Sequence, residues 1–126
     1  MVADLVEALL DCLGEIEFSC LDENTVNALL DGRDHDPFET EWLRVYHALE
    51  SLKNEQSYTE KNGEEQERVC ENAFMIIEDH IPGELSEYVS DDFGLIYDSL
   101  VLGYQDAWLD KLIAGYRNGQ ILTGEI

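Results

Sequence analysis

An excess of 22 negative charges on 126 residues constrains this chain more than any other feature. Asp and Glu number 29 against 7 Lys and Arg, whereas a small soluble domain is comfortable with a net charge of about 2–8 in magnitude. Self-repulsion on this scale opposes compaction. The apolar residues must therefore gather on contiguous faces and leave the acids in water. The chain has the means to do so, with 44% apolar and 10% aromatic residues. An acidic disordered tail is poor in both. The length suits one domain with one core.

The apolar spacing is helical. Val2, Leu5, Val6, Leu9, Leu10 and Leu13 predict a helix over 2–13, with Gly14 as its stop. Ile16, Phe18 and Cys20 alternate, so 15–21 permits a short strand, although no partner strand is evident. A second helix is expected over 24–31, ended by Gly32. A third is expected to start at Asp36-Pro37-Phe38-Glu39, with Asp36 as cap, Pro37 in the first turn and Glu39 closing a box-like pattern. Phe38, Trp42, Val45, Leu49 and Leu52 form its apolar face to about residue 54, and Phe38 and Trp42 should be mostly buried.

Residues 55–63 are polar and read as the longest loop. A fourth helix is expected over 64–80, broken by Pro82-Gly83, with a short helical turn over 84–89. Residues 91–102 and 107–118 read as two helices, separated by Gly103 and with Asp106 capping the second. The expectation is an all-α single-domain bundle, 1–126, of about five to seven helices.

Catalytic signatures are missing. The residues three before His35, His47 and His80 are Gly32, Arg44 and Ile77, so no Glu-x-x-His pair of a di-iron bundle occurs. The carboxylates of 31–41 lack the glycine and the bidentate Glu of a calcium loop in either register. No nucleophile elbow, P-loop, dinucleotide fingerprint or Cys-x-x-Cys is present. No catalytic residue, no metal site and no cofactor are expected. Direct nucleic-acid binding is disfavoured, because seven basic residues on so acidic a chain meet repulsion from phosphate.

No apolar run reaches the roughly 18 residues of a membrane span. The start Met1-Val2-Ala3-Asp4 lacks the basic residues of a secretory signal. Cys12, Cys20 and Cys70 are odd in number and lie among apolar residues. They read as reduced thiols of a cytoplasmic protein.

The acids are unevenly placed. Residues 1–32 hold eight and no Lys or Arg, and residues 69–110 hold ten and again none. The second stretch interleaves acids with tyrosine and leucine, the composition of a steered protein interface. Carboxylates would raise the on-rate toward a basic partner and aromatics would anchor it. The candidate partner-binding residues are Glu84, Glu87, Tyr88, Asp91, Asp92, Asp98, Tyr104, Asp106 and Asp110. The competing reading makes the tyrosines and leucines core and the acids an ordinary solvated face.

The stretch Ser90-Asp91-Asp92-Phe93 through Gly103-Tyr104-Gln105-Asp106-Ala107-Trp108-Leu109 to Tyr116-Arg117-Asn118-Gly119, within a small acidic helical chain, resembles bacterial immunity proteins of toxin–immunity pairs. The resemblance implies a cytoplasmic, non-enzymatic inhibitor of a cognate toxin, often a basic nuclease. It transfers no site residues. The alternative is a DNA mimic that blocks a restriction or other DNA-binding protein, with acids spread along a long face. A third reading, an enzyme with an unrecognised acid pair, would need a deep pocket holding two carboxylates.

Overall fold

Among its described residues the computed structural model has six helices: α1 (Val2–Gly14), α2 (Glu23–Arg33), α3 (Phe38–Glu55), α4 (Glu60–Glu78), α5 (Glu84–Leu102) and α6 (Ala107–Arg117). The described residues are 2–16, 22–56, 58–81, 83–123 and 126, and no strand occurs among them. The fold is an all-α single-domain bundle. Most of the 15–21 segment, and with it Cys20, lies outside the described residues. Cys12 and Cys70 are free thiols.

α5 is the central helix. It packs against α1, α2, α3 and α4, and every residue from Asp92 to Ser99 is buried. Leu85, Val89, Phe93 and Ile96 form its apolar contact with the core. Around it, α1 contributes Val6, Leu9, Leu10 and Leu13, α3 contributes Phe38, Val45 and Leu49, and α4 contributes Val69, Ala73 and Ile77. Phe93 meets Tyr116 edge-on at 5.0 Å, and Phe38 meets Trp108 in the same way at 5.2 Å. Each fully buried Leu or Ile contributes about 1.5–3 kcal/mol, and this apolar set opposes the charge repulsion.

Helix ends follow local chemistry. Asp106 caps α6 by accepting from the Leu109 N–H at 3.0 Å. Gly103 ends α5 in the left-handed conformation, φ 68°, which a side chain would disfavour. The segment from Asp91 to Tyr116 is therefore two helices, as expected. The first of them, however, begins at Glu84, so 84–89 is the opening of α5 and not a separate turn.

Three further expectations are corrected. The loop expected over 55–63 is cut short, because Thr59 and Asn62 form a reciprocal capping box that starts α4 at Glu60. The Asp36 box does not form. Pro37 holds the cap position without a side-chain cap, and the Asp36 carboxylate instead accepts from the Thr40 hydroxyl. α2 runs through Gly32 to Arg33. Gly32 is needed for close packing, since a Cβ there would collide with Thr123 Oγ1. That contact seats the C-terminal segment on α2, where Thr123 Oγ1 also donates to the Leu29 carbonyl. Of the two α3 aromatics expected in the core, Phe38 is buried and Trp42 is half-buried.

Candidate interaction site

Among the described residues, Arg33 is the one Lys or Arg buried in the core, and it gathers side chains from α3, α5 and α6 around it. Arg33, at the end of α2, is 4% exposed and pairs with Asp92 of α5, which is 1% exposed, at 2.7 Å. A buried ion pair holds only when its remaining valences are met. Here the Trp42 indole donates to the other Asp92 oxygen at 3.0 Å, and the Tyr116 hydroxyl donates to Asp92 at 2.5 Å. Arg33 donates to the Leu122 carbonyl at 2.8 Å and stacks over the Phe38 ring at 4.6 Å. Its Nε is the buried side-chain nitrogen left without a partner among the described residues. Burial works against the Arg33 charge, but Asp92 and Tyr116 outweigh it and hold its pKa above the ordinary value. Burial, and then Asp92, push the Tyr116 phenol well up.

A second buried carboxylate ties α3 and α4 to α5. Asp98 pairs with Lys53 at 2.8 Å and accepts from Tyr58 at 2.5 Å and Gln66 at 2.7 Å. Lys53 also lies over the Tyr58 ring at 4.5 Å. Asp106 has a third structural role, since Arg44 of α3 grips it through two bonds of 2.8 and 3.1 Å. Those bonds, together with the Leu109 N–H, hold its pKa below the ordinary value.

The outer side of α5 differs. Glu84, Glu87, Tyr88 and Asp91 follow the i, i+3, i+4, i+7 spacing of one helix face. Glu84, Glu87 and Asp91 are exposed, and Tyr88 is half-buried. The Tyr88 hydroxyl donates to Asp34, which raises its pKa to about 12. This face borders a cleft of about 220 Å³ between the α2–α3 connection, α3 and α5. Its floor is Arg33, Phe38 and Asp92, and its rim carries Asp34, Glu39 and Asp91. A neighbouring cleft of about 260 Å³ shares Trp42 and Asp91 and runs down to Tyr46 and Glu50. Burial against the cleft wall, and then Asp92 and Glu87, raise the Asp91 pKa.

The structure thus separates the nine candidate residues. Glu84, Glu87, Tyr88 and Asp91 come together on one face. Asp92 and Asp98 point inward, with internal partners. Tyr104, Asp106 and Asp110 lie in the α5–α6 connection and the first turn of α6, and of these only Asp110 is exposed. α5 spans about 27 Å at 1.5 Å per residue, so the two sets sit toward opposite ends of it.

Leu43 and Tyr46, 41% and 40% exposed, were not singled out by the sequence reading. Both are apolar residues lying off the Phe38–Trp42–Val45–Leu49 stripe, and that misfit is the signal that marks them. No group of three or more His, Cys, Asp or Glu among the described residues is arranged to hold a metal. No helix among them is long and apolar enough to cross a membrane.

Neither the curated proteins nor the solved structures give a match to this chain. The family model of immunity protein PIM1 does match, over residues 8–122. That span takes in all of α2 to α6, both buried carboxylate networks and the exposed face of α5. The chain therefore belongs to the PIM1 family of immunity proteins.

Proposed function

We propose that this chain neutralises a basic, nucleic-acid-acting toxin in the bacterial cytoplasm by charge-complementary contact, as a stoichiometric binder with no chemistry of its own. The carrying observation is how the charge is deployed. Three of the seven basic residues are held in pairs with Asp92, Asp98 and Asp106. Glu84, Glu87, Asp91 and Asp110 are left facing solvent. A surface of this kind accelerates encounter with a basic protein and repels competing acidic ones. Asp92 and Asp98, the buried carboxylates from which an acid–base pair would be drawn, are saturated by internal partners, which favours binding over catalysis. Membership of an immunity family favours a toxin over the DNA-binding target of a DNA mimic.

Titrating the activity of the cognate toxin with the purified chain tests the reading. A stoichiometric binder brings activity down linearly to an end point at a fixed molar ratio. Progressive inactivation by substoichiometric chain would identify an enzyme instead.

A further inference from the structure

We propose that the cleft between α3 and α5 seats an arginine side chain of the partner toxin, with Glu39 and Asp91 as its counter-ions and the Trp42 ring as its stacking surface. This deepens the toxin-neutralising reading and rests on it.

Four features of the cleft converge on that occupant. Its volume, about 220 Å³, is several times the roughly 30 Å³ share of a water molecule and has room for one long side chain. Its rim acids lack cations, since neither Glu39 nor Asp91 forms an ion pair among the described residues. Asp91, although exposed as a residue, has a raised pKa, from partial desolvation of its carboxyl at the cleft and from Asp92 and Glu87, which together outweigh Arg33. A cation arriving at that position would stabilise its charged form.

The walls suit a flat guanidinium. Trp42 stacks on Tyr46 at 5.5 Å and 15°, which presents an aromatic shelf beside the rim. Leu43 and Tyr46 add exposed apolar surface on the same helix. They are two of the four exposed large apolar residues described, the others being Leu5 and Met75. Arginine combines ring stacking with two-pronged carboxylate contact better than lysine does.

The same chemistry already operates one layer deeper, where Arg33 lies over Phe38 and against Asp92. Arg33 also acts on Asp91, but burial, Asp92 and Glu87 outweigh it, so the rim keeps an attraction for an incoming cation. The second cleft shares Trp42 and Asp91 and gives the segment carrying the arginine a continuation along α3.

The chain's two tryptophans supply the readout. Trp42 lies at the cleft, and Trp108 is buried against Phe38. The isotope-labelled chain is titrated with a blocked Gly-Arg-Gly-Arg-Gly peptide and, separately, with the same peptide carrying citrulline in place of arginine. The expected result is a saturable shift of the Trp42 indole resonance with the arginine peptide, a much weaker one with citrulline, and little movement of Trp108. The Glu39→Gln/Asp91→Asn double variant, shown by its melting curve to be folded, should weaken binding about tenfold. Equal binding of the citrulline peptide, or equal binding to the double variant, overturns the proposal.

A parallel arm measures toxin inhibition by the wild-type chain and the double variant. If both inhibit with the same affinity, the cleft assignment falls and the immunity function stands. If the wild-type chain does not inhibit the toxin while the arginine peptide still shifts Trp42, the immunity function falls and the cleft remains a guanidinium site.

Discussion

The inner and outer sides of α5 use the same residue type in opposite ways. Inward, Asp92 and Asp98 are buried, and each carries a cation and at least two hydrogen-bond donors. Outward, Glu84, Glu87 and Asp91 are exposed and make no ion pair among the described residues. Asp91 and Asp92 are neighbours in sequence, yet one sits on the rim of a cleft and the other in its floor. The difference shows where a chain with few cations places them. The scarce positive charges secure the carboxylates that have left water, where an unpaired charge costs most. The surplus negative charge is left outside, where it acts on other molecules.

Breaking the inner side should cost most. Asp92→Ala strands the Arg33 guanidinium and removes the acceptor of both Trp42 and Tyr116, and it should destabilise the fold by about 3–5 kcal/mol. Asp98→Ala should cost less, about 2–3 kcal/mol, because Lys53 is 21% exposed and can turn to water. Chemical denaturation of the two variants checks the order. A cost under about 1 kcal/mol for Asp92→Ala would place that residue with ordinary surface carboxylates.

That division was only partly legible in the sequence. Helix number, the Gly103 stop and the Asp106 cap all followed from residue types whose effect is local. The inward turn of Asp92 and Asp98 did not. An amphipathic reading assigns acids to the wet face, but α5 is buried all round from Asp92 to Ser99, and a helix enclosed on every side has no wet face. Arg33 gave no local sign that it would be the buried counter-charge, because its partner lies 59 positions away on another helix. The start of α4 was missed for a nearer reason. Asn62 fills the place of the usual Glu or Gln in the Thr59 box, so a polar run looked like loop. Glu84, Glu87, Tyr88 and Asp91 were all among the nine candidates, but the sequence did not separate them from the five that lie elsewhere. The aromatic shelf on α3 was not legible, because it requires knowing that α3 packs beside α5.

Asp106 is intermediate between the two sides. It is partly exposed, yet it caps α6 and is gripped by Arg44. Asp106→Ala should cost about 1–2 kcal/mol at neutral pH. Its folded pKa lies below the ordinary 3.8. The stabilising charge is therefore fully present above the unfolded value and is lost as pH falls through the lower folded one. Melting curves recorded down an acid series should show the gap between wild type and variant narrowing below about pH 4. A gap that widens in acid would contradict the sign.

The outer side should be nearly silent in stability. Asp91 runs opposite to Asp106, because its folded pKa is raised. Its charge is thus a burden at neutral pH, relieved as pH falls through the raised value. Asp91→Asn should melt slightly higher than wild type at neutral pH, and the difference should vanish in acid. Glu84→Gln and Glu87→Gln should each stay within about 0.5 kcal/mol of wild type. Clear destabilisation by any of the three would give the outer face a structural duty and weaken its assignment to binding.

The most direct test of the outward charge is the association rate with the cognate toxin. Stopped-flow measurements compare the wild-type chain with a Glu84→Gln/Glu87→Gln/Asp91→Asn/Asp110→Asn variant at low and at high salt. The account predicts that the variant melts like wild type, associates about tenfold more slowly at low salt and shows a shallower dependence on salt. An unchanged association rate with an unchanged salt slope, in a folded variant, would contradict it and move the interface away from α5.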